Sequence, residues 1–93
     1  MKISEKLKTR INELWKNPPI LNLGKNGVND QFINEFKKQI KRKKIIKIKI
    51  LKSALDSEDK NKIISDIEAK GDANCLEIRG NHVIFLKKNE IIE

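Results

Sequence analysis

The chemistry most readable in this chain sits in four consecutive residues, Gly24-Lys25-Asn26-Gly27. Two glycines without side chains allow positive φ angles and let another backbone approach closely. A loop of this kind can clamp a sugar-phosphate chain. It stands just before a predicted helix N-terminus, whose free N–H groups and partial positive charge favour a phosphate, and Lys25 adds a full charge at the tip. The plainer reading is that a strand-to-helix turn often needs glycines.

The second constellation is Lys37, Lys38, Lys41, Arg42, Lys43, Lys44, Lys47, Lys49 and Lys52, nine cations in sixteen residues with no carboxylate among them. A solvated helix end is the plainer reading here. Cations near a helix C-terminus gain roughly 0.3 to 1 kcal/mol each from the dipole, but the effect fades within the last turn and cannot account for all nine. Lys37 with Lys41, and Lys38 with Arg42, are like-charged pairs four residues apart, each costing on the order of 0.2 to 0.5 kcal/mol. A bound phosphate backbone would relieve that repulsion. Helical projection puts these four on or beside the surface opposite Phe32, Phe36 and Ile40, where they can be presented without disturbing a core.

Other reactive residue types fit structural roles better. The only histidine, His82, falls at a hairpin and the only cysteine, Cys75, in a strand, with no third group placed to orient either for catalysis. Asp56, Glu58 and Asp59 cluster at a helix start, where carboxylates are expected for capping and dipole reasons. Trp15, Phe32, Phe36 and Phe85 lie on apolar stripes and read as core, so recognition should rest on phosphates and shape rather than on base stacking. No catalytic residue is assigned, and neither a cofactor nor a metal is expected.

The 93 residues suffice for one domain with one core. Against 13 acidic side chains stand 21 Lys and Arg, a formal charge of +8, which favours a polyanionic partner, nucleic acid first. The excess is concentrated in residues 1 to 52, with 15 basic and 4 acidic side chains, while residues 53 to 93 hold 6 and 9. The binding surface is therefore expected from the first half. A peripheral membrane helix would leave its apolar residues without a core to build, and here they are committed to one, so no membrane partner is expected. One cysteine, no zinc-like spacing, no leader and no apolar run of about eighteen residues point to a cytoplasmic chain.

The elements that must position these residues follow from periodicity. Ile3, Leu7, Ile11, Leu14 and Trp15 predict a first helix capped by Ser4 and ended before Pro18-Pro19. Ile20 to Leu23 predicts a short buried strand leading into the glycine turn. Asn29 caps a second helix with Phe32, Ile33, Phe36 and Ile40 inward, and Val28 and Ile33 are spaced for a hydrophobic staple. From Ile45 to Lys52 the period becomes two, which predicts a half-exposed strand with Ile46, Ile48 and Ile50 on one face and Lys47 and Lys49 on the other. Asp56 or Ser57 should cap a third helix with Ile63, Ile64 and Ile67 inward, closing at Gly71. Cys75 to Arg79 and His82 to Lys87 should pair as strands through a Gly80-Asn81 turn, with residues 89–93 fraying. The order α-β-α-β-α-β-β implies a compact single-domain α/β sandwich with a four-stranded mixed sheet.

Taken together, Pro19-Ile20-Leu21-Asn22-Leu23-Gly24-Lys25-Asn26-Gly27-Val28-Asn29, then Ile45-Ile46-Lys47-Ile48-Lys49-Ile50, then Ala73 to Leu86 resemble the CRM domain, most closely its stand-alone YhbY-like form. The resemblance covers nearly the whole chain. It implies an RNA-binding α/β domain similar to the C-terminal domain of bacterial translation initiation factor three, associated in prokaryotes with the precursor of the large ribosomal subunit. Gly24, Lys25, Asn26 and Gly27 would form the RNA-binding loop, extended by neighbouring basic residues. Three features depart from the family's pattern: a short link between the first helix and first strand, a lysine-richer second helix, and Phe85-Leu86-Lys87-Lys88 where members often have a Tyr-Arg pair. The expected function is ribosomal RNA binding and help in large-subunit assembly by a monomer, with no small-molecule substrate, through Gly24, Lys25, Asn26, Gly27, Lys37, Lys38, Lys41, Arg42, Lys47 and Lys49. The alternative is an architectural nucleic-acid coat protein of the Alba-like sort, which would need a surface for self-association.

Overall fold

The computed structural model describes residues 4–90. Ile3 of the first apolar stripe, and residues 91–93 of the expected tail, lie outside the described residues. The elements are α1 (Glu5–Lys16), β1 (Leu21–Leu23), α2 (Asp30–Lys43), β2 (Ile45–Ile50), a single helical turn α3 (Lys52–Leu55), α4 (Lys60–Gly71), β3 (Ala73–Arg79) and β4 (His82–Lys87). Apart from α3, this is the α-β-α-β-α-β-β order.

The strands form one sheet in the order β1-β2-β4-β3. β1 and β2 are parallel, whereas β4 runs antiparallel to both β2 and β3, so the sheet is mixed. β4 inserts between β2 and β3, and the crossover through α4 therefore skips one strand position. α2 and α4 cover one face, over a core of Leu23, Phe36, Ile46, Ile48, Ile50, Ile67, Val83 and Phe85. The opposite face carries α1 alone, where Leu7 and Ile11 bury Ile45, Ile84 and Leu86.

Local chemistry sets the helix ends. The Ser4 side chain accepts from the Leu7 amide at 3.2 Å, and that of Asn29 from the Phe32 amide at 2.8 Å. α2 passes into β2 through one residue, Lys44, at φ 72°, whose amide donates to the Ile40 carbonyl. α4 is capped by Asp59, not by Asp56 or Ser57 as expected, because the chain first makes the α3 turn that sinks Ala54 into the core. Asp56 instead ends α3. Gly71 is the last residue of α4, and Asp72 takes the left-handed conformation after it. After β4 the Glu90 amide donates to the Lys87 carbonyl and its carboxylate pairs with Lys44 at 3.7 Å.

Candidate nucleic-acid interface

The Gly24-to-Gly27 loop leaves the end of β1 at the sheet's edge and enters α2. The Gly27 amide closes the turn on the Gly24 carbonyl at 3.0 Å, and the Asn29 amide donates to the Gly27 carbonyl at 2.9 Å. The two glycines are there for different reasons. Gly27 has φ +71°, which an L side chain rarely adopts. Gly24 has no positive φ, and a Cβ there would meet Leu51 Cδ1 at 3.8 Å, an ordinary contact. Neither backbone nor packing demands a glycine at position 24; a bare Cα there does leave room for something to approach from outside.

Lys25 and Asn26 are exposed at the tip. Beside them the loop, Asn22 and the first turns of α2 enclose a cleft of about 250 Å³, to which Gln31, Phe32 and Glu35 contribute walls. At the start of α2 the amides of Asp30 and Gln31 have no acceptor among the described residues. Those donors and Lys25 favour an anion, while the carboxylates of Asp30 and Glu35 oppose one close to the helix. Glu35 is already engaged, accepting from Gln39 at 3.0 Å. The cleft walls contributed by α2 were not legible from the loop motif, because they arise where the helix folds back along the β1 edge.

All four α2 cations singled out from the sequence, Lys37, Lys38, Lys41 and Arg42, are exposed, spread over one broad outer arc of the helix. At about 100° per residue, Arg42 and Lys38 project on the same flank as Glu35, the loop side. Lys37 and Lys41 lie at the α4 side of that arc, lining a depression with Gly71, Asp72 and Lys87. Along the axis, Arg42 stands about 18 Å from the start of the helix at about 1.5 Å per residue. A ligand that touched both the loop tip and Arg42 would run the length of α2.

Lys47 is a correction. Expected on an open face, its side chain is 5% exposed because α1 covers that part of the sheet. Its ammonium donates to the Asn17 carbonyl and lies 5.5 Å from the Trp15 ring centroid, while its own carbonyl accepts from the Ile20 amide. Burial holds its pKa below the usual lysine value. Lys47 thus clasps the α1–β1 link from both ends of the residue. Lys49, two residues on, is half-exposed beyond the reach of α1.

Residues 2–87 match the CRS1/YhbY (CRM) domain. The chain belongs to the CRM domain family. It is similar to the Bacillus subtilis (strain 168) protein named "Probable RNA-binding protein YqeI", at 26% identity over 72 residues that cover 77% of this chain and 73% of that one. The solution structure of SAV1595 from Staphylococcus aureus shares the fold, with a TM-score of 0.69 at 19% identity over 99% of this chain and 95% of that one.

Within this CRM domain the remaining reactive side chains have structural neighbours. Burial, and then the nearby Glu68 carboxylate, push the Cys75 thiol pKa up, so the protonated thiol prevails. Glu68 also accepts from the Cys75 amide at 2.8 Å. Trp15, read as core, is half-buried: its Nε1 donates to Glu77 at 2.7 Å and Arg79 lies 4.5 Å from its ring centroid. Phe36 and Phe85 are fully buried and meet edge to face at 5.3 Å. Among the described residues, no group of three or more His, Cys, Asp or Glu could hold a metal ion, and no helix is long and apolar enough to cross a membrane.

Proposed function

We propose that this CRM domain binds RNA, and that its RNA is ribosomal, met during assembly of the large subunit. Gly24 is the observation that carries the reading. A glycine that its own fold does not require, beside an exposed Lys25 and a cleft, suits close approach of a sugar-phosphate backbone. The loop clamps a short stretch of that backbone, and Lys38 and Arg42 continue the positive surface along the same flank of α2. Binding is electrostatic and geometric, with no turnover. The formal charge of +8 supports it, since a body this small gathers phosphates by long-range attraction before any specific contact forms.

The similarity to a protein named as an RNA-binding protein supports the ligand class. The ribosomal target rests on what the CRM resemblance implies. Ultraviolet crosslinking in cells, followed by sequencing of the attached RNA, tests it. Large-subunit rRNA and its precursor should dominate the reads, at discrete positions. Reads spread evenly over all transcripts would instead favour a coat protein.

A further inference from the structure

Four side chains lie in one line across the whole sheet. In register, Asn22 of β1 is beside Lys49 of β2, Lys49 beside His82 of β4, and His82 beside Arg79 of β3. Residues directly opposite one another in neighbouring strands share a face. Lys49 alternates with the buried Ile48 and Ile50, so this face is the one that α1 covers. α1 touches this row only at its far end, where the Trp15 ring lies against Arg79; Asn22 and Arg79 are exposed, and Lys49 and His82 half-exposed. At about 4.8 Å between strands the row is about 14 Å long.

We propose that the row Asn22, Lys49, His82 and Arg79 is a second RNA-contact track, which carries the phosphates of a single strand leaving the glycine loop and crossing the open end of the sheet. The proposal rests on the RNA-binding reading and extends it to a new surface. Continuity comes from Asn22, which is at once the first member of the row and a wall of the loop cleft. Charge supplies the ligand class. Lys49 and Arg79 flank His82 and no carboxylate stands in the row itself, so the row offers positive charge and donors to an anion. Lys49 and His82 make no side-chain hydrogen bond or ion pair among the described residues.

The groups that face His82 are Lys47 and Lys49 from β2, with Arg79 and Glu77 from β3. Of these Lys47 is already bonded to Asn17. Glu77 accepts from Trp15 and pairs with Arg79 at 3.7 Å, so the one nearby carboxylate is occupied. Desolvation first, then the charges of Lys47 and Lys49, hold the imidazole pKa below its ordinary value. A phosphate laid along the row would reverse that field and raise it.

The test uses fluorescence anisotropy with oligouridine of about four nucleotides, the length a GXXG loop holds, and of about twelve. Lys49→Gln with His82→Gln removes two groups that bond to nothing in the fold, and a thermal melt checks folding. The variant should bind the longer RNA at least fivefold more weakly, lose less on the shorter one, and shallow the log K against log salt slope by about 0.7 for each phosphate no longer neutralised. In the parent protein, the NMR titration of the His82 ring should move to higher pKa when the longer RNA is bound, a readout that needs no variant. Equal affinities for both lengths, within twofold of the parent, or an unmoved His82 would overturn the track. If Lys25→Asp with Asn26→Asp still abolishes binding in that case, the loop reading survives without it. A parent protein that binds neither RNA would sink both.

Discussion

Gly71 lies so close to Phe36 that a Cβ added there would stand 2.5 Å from Cε1 and 2.6 Å from Cδ1 of the ring. α4 ends against α2 at this point, and the aromatic ring fills the space a side chain would need. Alanine inside a helix ordinarily gains about 1 kcal/mol over glycine, but overpacking a fitted core costs about 1 to 3 kcal/mol. Phe36 is wholly buried and also packs edge to face on Phe85, so it has nowhere to retreat. Gly71→Ala should therefore lower the midpoint of a thermal melt. A melt that rises would mean that the ring moves aside and propensity wins.

Lys47 should matter to the fold and not to the ligand. Lys47→Met keeps the buried stem but removes the donor to the Asn17 carbonyl, a loss on the order of 1 to 3 kcal/mol. RNA affinity at a temperature where the variant is folded should stay within twofold of the parent. A larger fall, with the melt unchanged, would return Lys47 to the binding surface.

The two α2 pairs should separate under charge reversal. Lys38→Glu with Arg42→Glu, on the loop-side flank, should weaken RNA binding and shallow the salt slope by about 0.7 for each single-strand phosphate released. Lys37→Glu with Lys41→Glu, beside Asp72 and α4, should change the slope less. Salt titrations of both variants decide it, and a larger effect from the second pair would put the RNA over the α2–α4 depression.

Gly24 and Gly27 offer opposite outcomes from the same substitution. Gly27→Ala strains a positive φ and should cost stability by more than about 1 kcal/mol. Gly24→Ala meets only an ordinary contact, so its melt should stay within about 0.5 kcal/mol of the parent while RNA affinity falls at least fivefold. An unchanged affinity would mean that close approach of a ligand does not explain the glycine at that position.

The parts of this fold legible in the sequence were those decided within a few residues. Ser4 and Asn29 cap their helices by bonds three residues long, and Gly80-Asn81 turns a hairpin whose flanking residues are necessarily opposite each other. What escaped depends on distant segments. The alternation of Ile and Lys in β2 is real, yet an open lysine face cannot be told from one roofed by α1, and Lys47 lies under that roof while Lys49 does not. Asp56, Ser57 and Asp59 can all cap a helix, and the burial of Ala54 in a preceding turn selects the last. Within the candidate interface the loop was readable as a motif. Which side of the α2 cation arc adjoins α4, and the line of residues across the sheet, depend on α4 packing beside α2 and on β4 inserting between β2 and β3.

Replacing Lys25 and Asn26 together by aspartate tests the loop clamp most directly. Gly24 and Gly27 keep the turn, and the side chains at 25 and 26 are exposed, so no core contact changes. An aspartate near a helix N-terminus is mildly favourable to the fold. Facing a phosphate chain, two carboxylates repel it where one cation attracted it. Structured large-subunit rRNA fragments are titrated against parent and variant, with circular dichroism and a thermal melt run on both. A clamping loop predicts a normal melt and nearly abolished binding. A variant that melts normally and binds within about twofold of the parent, a difference near 0.4 kcal/mol, would show that the loop is only a turn.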